Sequence, residues 1–310
     1  INNKMGVSVG AYYKQDDGYF TNAYSGKRVD NIKNGGGRAK FAWDITPYLS
    51  ATYSINMDYV DQGAFPYANV QTGIIDYNSD SFYKRHLITN GLALKYKKNG
   101  YEINSTTGYQ YLNDEMNMDQ DYTRFSYFQI NQKQKQNSIS QEITIKSTKA
   151  SKYQWSAGIY GFYDYLHNTP PVYMMEDGIQ RFLQAPMTNN NIPVVYTDKQ
   201  IDLNGQYKRP VYGAAIFHQS TFNDIFEIKG LSATLGLRLD YEKTKLDYNA
   251  ETSAGFDVII PGRPAMSHRV DTAIIGSSSS DYLEVLPKIL AKYDINSESY
   301  VYASASRGYK

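Results

Sequence analysis

The stretch "LSATYSINMDYV", residues 49–60, alternates without a slip. Leu49, Ala51, Tyr53, Ile55, Met57 and Tyr59 fall on one side, and Ser50, Thr52, Ser54, Asn56 and Asp58 on the other. Successive side chains of a strand point to opposite faces, so this is a β-strand with one apolar and one polar face. In a sandwich the apolar face is the core. In a membrane barrel the apolar face meets lipid and the polar face lines the interior. The fold of the whole chain turns on which arrangement holds.

The chain has 310 residues, with 32 Lys and Arg against 31 Asp and Glu. This balance gives no electrostatic pull toward nucleic acid and no solvating acidic tail. There is no cysteine, which excludes disulfides and thiolate metal sites. No signal peptide is legible, since Ile1 opens directly onto a strand-like pattern. No apolar run approaches the ~18 residues of a membrane helix, but barrel strands carry apolar residues only at alternate positions and escape that criterion. Tyrosine is the compositional outlier at 31 residues. It favours strands, and it also favours the bilayer–water boundary, where ring and hydroxyl meet different solvents.

About eleven alternating segments follow one another, at 4–15, 37–45, 49–60, 87–97, 101–112, 137–147, 153–166, 211–222, 230–246, 282–294 and 299–309. Five connections are short: 46–47, 98–100, 148–152, 223–229 and 295–298. They carry the Asn, Asp, Gly, Pro and Lys of turns. The other five are long, at about 16–36, 61–86, 113–136, 167–210 and 247–281. Short and long strictly alternate. In an up-and-down meander this puts every tight turn at one end and every long loop at the other, the asymmetry of outer-membrane barrels. The segments are also long enough to cross a bilayer at a tilt, which takes roughly 9–11 residues.

The faces agree with this assignment. In 230–246 the row Leu231, Ala233, Leu235, Leu237, Leu239, Tyr241 opposes Ser232, Thr234, Gly236, Arg238, Asp240, Glu242. In 153–166 aromatic residues bracket a small aliphatic centre, as two interfacial girdles would. The segments 211–222 and 299–309 show no clean apolar row. Asp58, Glu102, Glu142, Arg238 and Asp240 lie in polar rows and are expected to face the lumen. The expected fold class is therefore all-β, an antiparallel up-and-down transmembrane β-barrel with its long loops on one side.

Several segments resemble the barrel of TonB-dependent outer-membrane receptors. "LEVLPKILAKYDINSESYVYASASRGYK" (283–310) is similar to that family's Leu-Pro-Lys strand, short turn and Tyr-x-x-x-x-Arg-Gly strand. "SATLGLRLDYEKTK" (232–245) resembles its Gly-x-Arg-x-Asp-Tyr strand. "SQEITIKS" (140–147) with "WSAGIYGFYDY" (155–165), and "DGYFTN" (17–22) with "RAKFAWDITPYLS" (38–50), resemble earlier hairpins in the right order. The resemblance implies a 22-stranded barrel around a plug, of which these eleven strands are half. It implies a partial β-barrel domain over 1–310, with the plug and its TonB-contacting segment outside this chain. It also implies a Gram-negative outer-membrane location, the TonB energy-coupling complex as partner, contact with outer-membrane lipid, and uptake of a scarce nutrient such as siderophore-iron or cobalamin. A passive porin-like channel and a secreted β-sandwich binding or adhesin protein are the alternatives. The last of these predicts that Leu235 and Leu237 are buried against a second sheet.

Local chemistry points away from catalysis. His86, His167, His218 and His268 show no ligand spacing, and His167 and His268 are the better placed of the four for a ligand, being expected in loops. No metal site and no cofactor is expected. "NGGGR" (34–38) could cradle phosphate but lacks the P-loop setting, and a loop re-entering a strand is the plainer reading. "MNMDQD" (116–121) and "VYMMED" (172–177) set methionines beside acids, as soft metal contact or as loop packing. "SSSSD" (277–281) has hydroxyls without a nearby base and reads as a polar linker. No enzyme and no nucleic-acid partner is expected. The long loops mix aromatic residues with Arg, Asn and Gln, which suits ligand recognition. The candidate ligand-binding residues are Phe65, Tyr67, Tyr122, Arg124, Phe125, Tyr127, Tyr173, Arg181 and Phe182. Packing of these aromatics loop against loop is the competing reading. A short helix is expected at about 175–185.

Overall fold

A computed structural model describes residues 4–63, 66–149 and 151–308. Its strands are β1 (Met5–Asp16), β2 (Ile32–Asp44), β3 (Leu49–Gly63), β4 (Phe82–Lys98), β5 (Tyr101–Asp119), β6 (Phe128–Ser147), β7 (Tyr153–Thr169), β8 (Val172–Met175), β9 (Val194–Tyr196), β10 (Gln200–Asn223), β11 (Leu231–Val258), β12 (Met266–Asp294) and β13 (Tyr300–Ser306). They form one antiparallel sheet in the order β1-β2-β3-β4-β5-β6-β7-β10-β11-β12-β13. Eleven positions across the sheet match the eleven alternating segments. Among the described residues no ladder joins β1 to β13, so the sheet is a curved wall rather than a closed ring.

The two short strands belong to their neighbours. β6 pairs Lys133 with Thr169 of β7 and Ile130 with Val172 of β8, so the register runs on unbroken. β8 is thus the top of β7, separated from it only by Pro170 and Pro171, which have no N–H to give the ladder. β9 likewise precedes β10 along β11. Between the pairs Tyr196↔Phe256 and Leu203↔Thr252, β11 advances four residues and its partner seven. The surplus at 197–199 bulges out. A helical run, 176–189, caps the hairpin between β8 and β9. At the opposite end, Asn99 and Gly100 both adopt positive φ, the geometry of a two-residue hairpin turn joining Lys98 to Tyr101.

Cross-strand register shows that the apolar rows form one continuous face. Phe41 lies opposite Tyr53, Tyr53 opposite Leu92, Ile143 opposite Ile159, Ile159 opposite Ile216, Ile216 opposite Leu239 and Leu235 opposite Ile289. Nothing in the described chain covers this face: Leu237 is 49% exposed and Tyr53 is 42%. The opposite, polar face is the crowded one, with Glu102 at 6% and Asp240 at 7%. Curvature crowds side chains on the concave side, so the polar face is concave and the apolar face convex. A β-sandwich requires Leu235 and Leu237 sealed beneath a second sheet, and both are exposed. An apolar face spanning eleven strands far exceeds the few hundred Å² a soluble monomer leaves bare, and hydrocarbon is the solvent that fits it.

Aromatic residues edge this face on both sides. Trp43, Tyr96, Tyr101, Tyr153, Phe222 and Tyr293 lie near the tight turns, and Tyr59, Tyr109, Tyr163, Tyr212 and Tyr241 near the far limit of the apolar rows. The apolar row of β11 ends at Tyr241 and turns charged at Lys243. Even β10 fits: register assigns Tyr212, Ala214, Ile216 and Phe222 to the apolar face, with His218 and Ser220 diluting the row. In β13, Val301, Ala303 and Ala305 continue it.

The strands outrun their apolar rows, which corrects the expected loop limits. β5 reaches Asp119 and β6 starts at Phe128, so 113–136 is a hairpin whose free loop is only 120–127. Most of 247–281 is likewise strand, with the free loop at 259–265. "SSSSD" lies within β12, Met116–Asp119 of "MNMDQD" within β5, and "NGGGR" within β2. Beyond the membrane both faces of a strand meet water. The row that faced lipid turns polar there, and the apolar residues that remain, such as Leu246 and Phe256 of β11, fall on the opposite face while the backbone ladder continues.

Candidate functional site

The long connections gather at one rim. There the β3–β4 connection packs on the β5–β6 loop and on the β1–β2 connection. Val29, Ile75 and Tyr77 are buried with Tyr122 against them, and the Tyr67 and Tyr122 rings are 4.7 Å apart. Asn22 donates to the Tyr77 carbonyl at 2.7 Å, and the Ala23 amide donates to the Ile75 carbonyl at 2.8 Å. Asp119, 1% exposed, organises the turn: its Oδ1 accepts from the amides of Asp121 (3.1 Å) and Tyr122 (2.9 Å), and its Oδ2 from that of Ser79 (3.3 Å). Burial, aided by the Asp121 charge, raises the Asp119 pKa above the usual carboxylate value. Burial beside Asp119 pushes the Tyr77 phenol up to about 12.

A second aromatic group joins the β5–β6 loop to the helical cap. Phe125 stacks on Tyr127 at 5.4 Å, Tyr127 meets Phe182 edge-on at 5.5 Å, and Phe128 stacks on Phe182 at 5.4 Å. The Arg181 guanidinium lies 5.3 Å from the Tyr127 ring centre and 5.9 Å from that of Phe182. It also donates to the Tyr127 hydroxyl at 2.7 Å. Such cation–π contacts are worth about 0.5–2 kcal/mol and hold a guanidinium without neutralising it. The cap is anchored by Ile179, which is fully buried, and by Asp177, which accepts from the Ser126 amide at 2.9 Å. Asn78 links the two groups through the Ser126 hydroxyl at 2.8 Å. Arg124 pairs with Asp76, and this contact holds its pKa above the ordinary guanidinium value.

Of the nine candidate ligand residues, seven converge here: Tyr67, Tyr122, Arg124, Phe125, Tyr127, Arg181 and Phe182. Tyr173 is apart, in β8 opposite Gln129 and Asp202. Phe65 lies outside the described residues. The aromatics do pack loop on loop, yet Tyr67, Arg124, Phe125, Arg181 and Phe182 stay exposed along one edge. The edge combines flat apolar area with guanidinium groups, which suits a planar or anionic small molecule.

Below the rim, register places Asp58, Glu102, Glu142, Arg238 and Asp240 on the concave polar face. Glu102 is held by Lys146 at 3.0 Å and Lys95 at 3.3 Å. Arg238 pairs with Asp240 at 2.8 Å, and its guanidinium lies 5.8 Å from the Tyr160 ring and 5.5 Å from that of Phe217. Asp58 accepts from Arg85 at 2.6 Å and from the Tyr12 hydroxyl, and Tyr83 donates to Asp114 at 3.1 Å. Tyr12, Tyr83, Arg85 and Asp114 are the residues that sequence reasoning missed. Three of them lie past the apolar rows, but each keeps the odd or even parity of its strand's polar row, which was the available signal.

A cleft of about 570 Å³ opens elsewhere, on the upper wall between β10, β11 and β12. It is lined by Asp198, Asp202, Glu251, Arg269 and Asp271 and contains no aromatic residue. Asp198 sits on the 197–199 bulge, accepting from the Gly255 amide at 2.6 Å and from Arg269 at 2.8 Å. These contacts, the Gly255 amide first, hold its carboxyl below the usual range. Its job there is to fasten the bulge. Among the described residues no group of three or more His, Cys, Asp or Glu is arranged to hold a metal ion.

Comparison with known proteins agrees with this architecture. A family model described as TonB dependent receptor-like, beta-barrel, matches residues 9–310. The ferric yersiniabactin uptake receptor FyuA of Yersinia pestis superimposes with a TM-score of 0.70 at 15% identity, over 97% of this chain and 42% of that one. The ferric-catecholate import receptor Fiu of E. coli K12, closed form, gives 0.52 at 11% identity, over 99% and 46%. The siderophore receptor PiuA of Acinetobacter baumannii gives 0.51 at 12%, over 94% and 45%. At these identities the likeness is one of fold. The chain spans less than half the length of each of these three structures. No curated protein matches it in sequence.

Proposed function

Since this chain belongs to the TonB-dependent receptor β-barrel family, we propose that it forms part of the wall of a receptor that imports a ferric siderophore. The chain is a Gram-negative outer-membrane β-barrel protein. The rim bearing the packed loops faces the exterior, and the tight turns face the periplasm. The ligand rests against the exposed edge of Tyr67, Arg124, Phe125, Arg181 and Phe182. Tyr122 and Tyr127 support that edge. Asp58, Glu102, Glu142, Arg238 and Asp240 line the lumen, where a plug domain outside this chain would sit and couple to TonB.

The observation that carries this reading is the inverted polarity of the wall together with the family match. An apolar convex face and an ion-paired concave face leave lipid outside and a polar space inside. The siderophore class is supported by the fold neighbours, which include receptors for ferric yersiniabactin and for ferric catecholates. It is also supported by the chemistry of the edge, since siderophore chelates present flat and anionic groups.

The test is uptake by the intact receptor. Removing the 176–193 cap should leave membrane assembly intact, judged by heat-modifiable migration, and reduce uptake of radiolabelled ferric siderophore at least tenfold. Unchanged uptake would remove the cap from the site. Uptake that persists without TonB would favour the porin-like alternative.

A further inference from the structure

We propose that the rim selects chelates of neutral or positive net charge, ferric tris(hydroxamate) complexes rather than polyanionic tris(catecholates), because carboxylates hold together the loops that build the aromatic edge. The proposal rests on the siderophore reading above and names the class of chelate within it. Its basis is the charge of the three segments that form the edge, 66–82, 119–128 and 176–189. Their acids are Asp76, Asp80, Asp119, Asp121, Glu176 and Asp177, and their bases are Arg124 and Arg181 alone. The β1–β2 connection beside them sets Asp17 and Asp30 against Lys27 and Arg28 and leaves the excess as it is.

The excess follows from how these loops fold. Asp121 accepts from the Thr123 amide at 3.0 Å with one oxygen, and from the Tyr127 and Phe128 amides, both at 3.1 Å, with the other. Asp119 takes the amides of Asp121, Tyr122 and Ser79, and Asp177 that of Ser126. Irregular backbone has N–H groups that no ladder satisfies, and these carboxylates accept from them. An amide has no net charge, so each such bond brings negative charge to the rim without a counterion. Among the described residues, Asp119, Asp121, Glu176 and Asp177 form no ion pair. Burial raises the Asp119 pKa, yet acids remain in excess even with Asp119 uncharged.

The two guanidinium groups do not offset this charge. Arg124 pairs with Asp76, and Lys27 with Asp80 at 3.2 Å. Arg181 has no ion pair among the described residues; the Tyr127 and Phe182 rings and the Tyr127 hydroxyl hold it, in the π-helical turn Ile179–Gln184. The edge therefore offers one free cation within a net negative field. A ligand oxygen can rest on Arg181, but a molecule with several uncompensated negative charges is repelled by the carboxylates behind it. A hydroxamate brings a single negative charge per bidentate group, so a tris complex cancels the charge of iron(III) and still presents oxygen lone pairs. A catecholate brings twice that charge, and its tris complex is a trianion.

The test uses the intact receptor, purified in detergent and titrated calorimetrically with two probes, an uncharged ferric tris(hydroxamate) and a trianionic ferric tris(catecholate). Wild type at low salt should bind the hydroxamate complex at least about tenfold more tightly. Raising salt from about 0.1 to about 1 M shortens the screening length from about 10 to about 3 Å and should narrow that preference about fivefold. Glu176 is exposed, and its side chain has no ion pair among the described residues. Glu176→Lys should narrow the preference about fivefold at low salt, and Glu176→Gln about twofold. The same reversal in the tight turn at the opposite end of the wall, Glu298→Lys, should leave the preference unchanged.

Tighter binding of the trianion by wild type overturns the proposal. A preference that neither salt nor Glu176→Lys narrows would show selection by shape, which also overturns it, as does an equal narrowing in Glu298→Lys. Failure of the siderophore reading itself would show separately, as a wild-type receptor that binds neither complex.

Discussion

Leu235 and Asp198 show how single side chains carry the two halves of the argument. Leu235 is half exposed at the centre of the apolar row. Replacing it by Arg places a charge near mid-membrane, at a cost of about 2–4 kcal/mol. We expect Leu235→Arg, and Ile55→Arg for the same reason, to reduce assembled receptor in the outer membrane severely, read as loss of the heat-modifiable band. Normal assembly would count against the outward assignment. Asp198 works in water. Its folded pKa is lowered, so its contribution is fully present above the usual carboxylate pKa of 3.8 and is lost as pH falls through the lower folded value. The bulge should therefore stay fastened at pH 5 and loosen only in stronger acid. Asp198→Ala should speed exchange of the Gly255 amide by an amount corresponding to about 1–3 kcal/mol of local stability. Exchange unchanged from wild type would mean that the bulge is held by backbone alone.

At the scale of elements, the β7–β8 strand and its cap decide where the aromatic edge forms. Pro170 and Pro171 interrupt the ladder without shifting its register, so β8 still docks between β6 and β10. The cap then begins where Met175 donates its amide to the Tyr127 carbonyl, at 3.0 Å. This delivers Arg181 and Phe182 onto Tyr127 and Phe128. Arg181→Ala should leave assembly unchanged and weaken ferric-siderophore binding about tenfold, measured by titration of the purified receptor. A helix was expected at 175–185, and the helical run occupies 176–189, because the acids at its start and the mix of apolar and polar residues are local signals. The strand extensions were not legible. Beyond Tyr111 in β5 or Tyr241 in β11 the row that faced lipid turns polar and the remaining apolar residues, such as Met116 and Leu246, fall on the opposite face, so the apolar rows end there while pairing with the neighbouring strand keeps the chain extended.

At the scale of the molecule, stability does not come from a buried core. The described hydrophobic cluster is confined to Val29, Ile75 and Tyr77 at the rim, with Tyr122 against it. The wall is held by its ladders, by ion pairs on the concave face, and by the lipid that its convex face requires. Transfer from bilayer to aqueous buffer without detergent should therefore cause aggregation, because apolar area costs about 25 cal/mol per Å² when exposed to water. A clear monomeric peak without detergent on size-exclusion chromatography would contradict the lipid-facing assignment.

Much of this was written locally. Strict alternation in 49–60 fixed strand and face, the rhythm of short and long connections fixed an up-and-down order with its turns on one side, and end-weighted aromatics located the apolar boundary. These follow from the two-residue period of a strand, which a sequence displays wherever the two faces meet different solvents. Only the tertiary structure decided how far the strands continue, that β8 completes β7, and which loops bring Tyr122 to Tyr67 and Arg181 to Tyr127. Those facts depend on register between segments distant in the chain. Register is set by pairing energies summed across the whole sheet, which no single segment carries.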